Sequence, residues 1–252
     1  MRIIVNADDL GTSPGINDAT FELMAMGRVS SATLIANAPS LDGALARIAE
    51  FPRCSFGIHL NLTVFPPLTS TPSLAALLDD NGKMSAAIPR AARRNKEILK
   101  AVYQELATQI ERLLAAGVRL SHIDSHEHIH TLPVFFPVLK SLQRRYGIRR
   151  VRISKNVYLP GAQPGCAKSL KKWLYNTALR RIYPTQTTTA FTEFQSFYQM
   201  LRAGAPPRRE SIELMAHPGT KSERYRIENE NLKSNWVEEL PPGDCLIGYN
   251  EL

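Results

Sequence analysis

Ten residues, SHIDSHEHIH at 121–130, hold four of the chain's six histidines together with an aspartate. In an extended segment side chains alternate, so His122, Asp124, His126, His128 and His130 would share one face. Such a face cannot be ordinary core, because burying an unpartnered polar ring costs roughly 1–3 kcal/mol. A metal site, with hydrogen bonds to the outer ring nitrogens, removes that cost. Imidazole and carboxylate donors without thiolate suit zinc and other first-row divalent ions, and three protein ligands leave a position for water. Metal-bound water ionises near neutral pH and becomes a nucleophile, so the chemistry to expect is hydrolysis.

The other chemistry-bearing residues also sit where short apolar runs end. Asp8 and Asp9 close the run in MRIIVNADDLG, His59 lies near the end of GIHLNLT, and His217 follows the run in ELMAHPG. Apolar runs predict strands at 3–6, 32–36, 56–62, 120–124, 151–153, 211–216 and 245–249, and helical spacing predicts helices at 16–26, 40–50, 96–116, 134–146, 168–182 and 192–202. The clearest helix is 96–116, where Leu99, Val102, Tyr103, Leu106, Ile110, Leu113 and Leu114 recur at three- and four-residue steps and Gly117 follows as a stop. Strands alternating with helices imply parallel βαβ units, closed as a barrel or open as a doubly wound sheet. In both, catalytic groups gather where strands end. Two long loops, 64–89 and 156–165, are candidate lids or substrate walls.

At 252 residues and 44% hydrophobic, the chain suits one domain spanning 1–252. Its first residues read as a strand, neither a signal peptide nor a membrane span. Cys54, Cys166 and Cys245 are odd in number and far apart, which argues against a disulfide framework or a thiolate zinc site and for the reducing cytoplasm. The net charge of +8 collects in patches such as Arg144, Arg145, Arg149 and Arg150, read as solvated helix faces rather than a nucleic-acid surface. In SLKKWLYNTALRRIY, Leu170, Trp173, Leu174 and Ala178 fall on one helical face with cations nearby; core packing is the ordinary reading and a weak membrane-surface contact the other.

The segments IVNADDLG, GIHLNLT, SHIDSHEHIH and MAHPG, in this order and spacing, resemble the carbohydrate deacetylase family called YdjC-like, which includes a chitooligosaccharide deacetylase. The likeness runs from Arg2 to the closing IGYNEL; Leu10 departs from it, standing where the family usually has Phe. The resemblance implies an α/β, single-domain (β/α) barrel-like fold related to the TIM barrel. It also implies metal-dependent removal of N-acetyl groups from an N-acetylated oligosaccharide or glycolipid, with one divalent ion, magnesium or zinc. Carried over by motif, the metal ligands are Asp9, His59 and His126, and Asp8 is the general base. His217 is the general acid or a transition-state contact, with His128 as its competitor. Neighbouring strand residues point to opposite sides, so bringing Asp8 and Asp9 to one pocket requires the backbone to leave β geometry between them. A homodimer is a further expectation. The competing readings are a two-metal phosphoesterase and a non-catalytic basic protein that binds lipid or nucleic acid.

Overall fold

Arg2–Leu10 forms β1, the strand around which the sheet is laid out. In the computed structural model, which describes the backbone of residues 1–252 and every side chain except that of Arg224, six further strands follow. They are β2 (Ser31–Leu34), β3 (Ser55–Leu60), β4 (Leu120–Ser125), β5 (Ala190–Glu193), β6 (Ser211–Ala216) and β7 (Cys245–Leu246). The order is β4-β3-β2-β1-β6-β5, every pairing is parallel, and the short β7 joins the start of β1. Parallel strands need crossovers, supplied here by α1 (Pro14–Ala25), α2 (Leu41–Leu45), α3 (Pro72–Ala75), α4 (Ala87–Ala92), α5 (Lys96–Ala115), α6 (Phe136–Tyr146), α7 (Cys166–Arg181), α8 (Phe194–Arg202) and α9 (Glu223–Lys233).

The sheet curls toward a barrel. Its two outer strands are bridged by the extended segment 150–157: Arg152 N donates to Ile123 O of β4 (3.1 Å), and Asn156 N donates to Phe191 O of β5 (3.3 Å). The strand expected at 151–153 is therefore a correction. This segment changes partner along its length, making only single bridges from Val151 to Ile123 and from Arg150 to Gln186.

Helix α5 shows why the sequence pattern was readable. The Asn95 side chain accepts from Glu97 N and Ile98 N at its start, and Gly117 ends it at φ +81°. Ile98, Val102, Leu106, Ile110 and Leu113 are buried along one stripe, whereas Leu114 is 42% exposed. The same face buries two polar side chains. Gln109 brackets Asn61, accepting from its N (3.0 Å) and donating to its O (2.8 Å). Glu105 accepts from the backbone of Leu68 (3.0 Å) and Thr69 (2.8 Å). These bonds fix the exit of β3 and the start of the 64–89 loop, which carries α3 and the first turn of α4.

The sequence pattern missed the short helices α3 and α4, which lie at the expected 64–89 loop, and also β5 and α9. β5 was absorbed into a helix expected from 192, yet Glu193 is extended (φ −75°, ψ 144°) and the helix starts at Phe194. α9 lacks an apolar stripe because its inward face binds polar backbone groups instead: Glu228 accepts from His217 N (2.7 Å) and Asn229 from Gly219 N (3.1 Å).

Candidate metal centre

The end of β1 leaves strand geometry where two carboxylates must face one cavity. Pairing with β2 shifts register between Ala7 and Leu10, and Asp9 adopts φ +66°. A non-glycine residue in that region costs about 1–2 kcal/mol; Thr12 supports it by bonding Asp9 O through its N (3.2 Å) and Oγ1 (2.6 Å). Asp8 and Asp9 thereby reach the same site, as the strand argument required.

His59 and Asp124 are register partners on β3 and β4. His59 Nδ1 lies 2.6 Å from Asp124 Oδ1, which fixes the Nδ1–H tautomer and turns Nε2 toward Asp9 Oδ1, 3.4 Å away. Thr33 Oγ1 donates to the other Asp124 oxygen (3.1 Å). β4 ends at Ser125, and His126 Nδ1 then lies 2.9 Å from Asp9 Oδ1.

The shared histidine face expected from 122 to 130 does not form, and this too is a correction. Glu127 (φ 51°) and His128 (φ 54°) take left-handed backbone, so the chain turns rather than continuing extended. His128 packs edge-on to Phe191 at 5.8 Å. His130 folds back, its Nδ1 2.5 Å from Ser125 Oγ and its Nε2 3.2 Å from Arg152 O. His122 lies deeper in the sheet, stacked on Tyr249 at 3.6 Å with Nδ1 2.8 Å from Ser121 Oγ.

His217 follows β6. Its ring rests on Tyr225 with centroids 4.6 Å apart, and its Nδ1 lies 4.0 Å from Glu228 Oε1. The His-Pro-Gly turn is pressed against α1: a Cβ on Gly219, at φ +71°, would stand 2.6 Å from Gly15 O.

The residue that sequence reasoning missed is Arg152. Its side chain is fully buried and serves three carboxylates: NH2 to Asp8 Oδ1 (2.6 Å), NH1 to Asp8 Oδ2 (2.7 Å) and Asp124 Oδ2 (2.7 Å), and Nε to Glu213 Oε1 (2.7 Å). Tyr249 OH donates to the second Glu213 oxygen. A signal was available, since Arg152 and Glu213 are charges inside runs predicted to be buried strands, where an ion must be paired.

Burial would raise Asp8, but the Arg152 guanidinium holds it well below the usual carboxylate range. Burial is likewise overcome at Asp9, where hydrogen bonds from His126 and His59 hold the carboxyl low. At His59 burial acts downward and Asp124 upward; the carboxylates win and push the imidazole up to about 10. Burial pushes His128 down to about 4 and also lowers His217, which Asp8 and Asp9 partly offset. Glu213 is pushed up to about 7 by burial, against Arg152.

The surrounding carboxylates thus favour positive charge at His59, carried either by an Nε2 proton or by a cation that replaces it, and burial favours a neutral ring at His128. Donor atoms of Asp9, His59 and His126 all lie within 4.8 Å of one another. Bonds of about 2.1 Å in tetrahedral or octahedral geometry place neighbouring donors about 3.0–3.4 Å apart, and the 2.9 and 3.4 Å separations agree. The donor set therefore fits a divalent cation. A second grouping, Asp8, His59 and Asp124, also meets the spacing, but Arg152 already lies against both of its carboxylates.

A carbohydrate deacetylase of Geobacillus stearothermophilus is 39% identical over 163 residues, 62% of each chain. One of Vibrio campbellii is 33% identical over 148 residues, 59% of this chain and 57% of the relative. The aligned part of the chain thus spans about three fifths of the length of these relatives. A crystal structure from Enterococcus faecalis V583, described as a candidate cellobiose-phosphate cleavage protein, superposes with TM-score 0.74 over 99% of this chain and 98% of that one. At 22% identity it bears on the fold, and it confirms the barrel-like α/β architecture. The profile described as YdjC-like protein matches residues 2–241, and the chain belongs to that family.

Proposed function

We propose that the protein is a metal-dependent hydrolase that removes the acetyl group from an N-acetylated amino sugar. The observation that carries this reading is the convergence of Asp9, His59 and His126 beside a carboxylate, Asp8, clamped by Arg152. Relatives 33–39% identical are named carbohydrate deacetylases, which supports the choice of substrate class.

Asp9, His59 and His126 would hold the ion, zinc by donor chemistry or magnesium by availability. When bound, a divalent ion ionises its water near neutral pH and polarises the acetyl oxygen. Asp8 accepts the proton of the attacking water; the Arg152 fork keeps its oxygens fixed in orientation while it does so. His217, in its protonated form, donates to the departing sugar amine; Asp8 and Asp9 favour that form against burial, and Glu228 lies 4.0 Å from Nδ1. His128 is the weaker candidate, because its ring is buried against Phe191 and beside Arg152 charge. The substrate is an oligosaccharide or the sugar head of a glycolipid. A cytoplasmic setting belongs to the same reading, on the three cysteines' odd number and wide spacing in the sequence.

A two-metal phosphoesterase is disfavoured, since Arg152 supplies the positive charge a second ion would bring. The test is acetate release from N-acetylated chitooligosaccharides by metal-reconstituted protein, run beside His126→Ala. Acetate from the wild type alone supports the reading. One bound ion per chain without acetate release from oligosaccharides or N-acetylated glycolipids would overturn it.

A further inference from the structure

Helix α7 is amphipathic in the wrong direction for a core helix. Asn176 and Leu179 are the residues it buries. On the opposite side Leu170, Trp173 and Leu174 are 55%, 60% and 52% exposed, at the i, i+3 and i+4 spacing that makes one stripe. Exposed apolar residues occur singly on most surfaces; three together on one outward face, one of them Trp, require an explanation.

Charge indicates what covers them. Cys166–Arg181 contains Lys168, Lys171, Lys172, Arg180 and Arg181 and no Asp or Glu. At 100° per residue Lys171 stands beside the stripe, the exposed Arg181 falls in line with it two turns on, and Lys168 lies at the start of the helix. Leu170 and Trp173 are open to solvent, and Leu174, at the edge of the stripe, also lines a cavity beside the helix. We infer that α7 is a membrane-surface helix: Leu170, Trp173 and Leu174 enter the interface of an anionic lipid surface while the surrounding Lys and Arg side chains meet its headgroups.

The helix is coupled to the candidate site. Tyr175 OH donates to His130 O (2.8 Å), and a cavity of about 870 Å³ between α7 and the histidine turn is lined by Thr131, Pro133, Ser154, Lys168 and Tyr175. Lipid docking therefore places the metal centre one helix away from the membrane. No helix among the described residues is long and apolar enough to cross a membrane, so the contact is at the surface.

The chain has a built-in reporter. Trp236 is fully buried among Phe194 and Phe197, so a change in tryptophan emission on adding vesicles reports Trp173. With vesicles of phosphatidylglycerol and phosphatidylcholine at low salt, the protein should co-sediment, its emission should shift to shorter wavelength, and acrylamide quenching should fall. Pure phosphatidylcholine vesicles should do far less. Lys168→Glu combined with Lys171→Glu should weaken binding about tenfold or more, and Leu170→Ser with Leu174→Ser should abolish the emission shift. These are exposed positions, and unchanged circular dichroism will confirm folding. Absence of co-sedimentation on anionic vesicles overturns the inference. So does a lipid-free emission shift that grows with protein concentration and molecular mass, which would assign the stripe to a second copy of the chain. A shift produced by soluble acidic oligosaccharide but not by vesicles overturns it as well.

Discussion

The carboxylate of Asp8 and the guanidinium of Arg152 form a buried bidentate pair, with Oδ1 2.6 Å from NH2 and Oδ2 2.7 Å from NH1. Two parallel bonds fix both the distance and the plane of the carboxylate, which a single ammonium cannot do. Arg152→Lys should keep the bound ion and lower kcat by about 10–100-fold through misplacement of Asp8. Arg152→Met should destabilise the fold by about 3–5 kcal/mol, because it strands buried carboxylates. Turnover, metal analysis and denaturant unfolding on the same preparations check this; a lysine variant with unimpaired kcat would show that the fork does not orient the base.

Asp124 would act on a bound ion through His59. Its hydrogen bond to Nδ1 sets the tautomer and makes Nε2 a better donor. Asp124→Asn should therefore weaken metal affinity about 10–100-fold, read by competition with a chelator. Asp8→Asn should leave the ion bound and reduce turnover by about 10²–10⁴-fold. If Asp8→Asn strips the metal while Asp124→Asn retains it, the assignment of the two aspartates is reversed.

Much of this site was legible in the sequence because its donors stand at strand ends, where polar residues interrupt apolar runs. Asp8, Asp9, His59, His126 and His217 all do so. The deformation at Asp9 followed from the alternation rule once the family resemblance placed both carboxylates at one site. Arg152 and Glu213 escaped because they lie inside apolar segments, where one charge reads as noise until its partners, Asp8, Asp124 and Tyr249, are known from distant parts of the chain. The histidine turn was misread for a local reason: Glu127 and His128 adopt left-handed backbone that neither residue type announces. α9 escaped because a helix that packs through Glu228 and Asn229 shows no hydrophobic period.

Glu213 gives stability a pH dependence of definite sign. Its folded pKa, about 7, lies above the ordinary 4.5, so between these values the folded chain keeps a proton that the unfolded chain has lost. Its contribution is fully present below about pH 4.5 and is lost as pH rises through 7. Gln mimics the protonated carboxyl, accepting from Arg152 Nε and donating to Tyr249 OH. The melting temperature of the wild type should thus fall relative to Glu213→Gln from pH 5 to 7.5. Parallel curves for the two proteins would mean that Glu213 is ionised throughout.

Gly219 couples the His217 turn to the first helix. At φ +71° an added Cβ would stand 2.6 Å from Gly15 O and 2.9 Å from Ile16 Cα, and both obstacles are backbone rather than a side chain that can swing away. The strain of a left-handed non-glycine residue adds about 1 kcal/mol to the steric cost of about 1–3 kcal/mol. Gly219→Ala should therefore lower stability by a few kcal/mol by these same terms, and relief of the clash should move His217, two residues upstream and held by Glu228 through its backbone N. Because the proposed ligands Asp9, His59 and His126 lie on β1, on β3 and in the turn after β4, metal content should stay at the wild-type level while kcat falls. A variant that loses stability but keeps full turnover would show that the position of His217 does not limit the reaction, and would transfer the proton-donor role to His128.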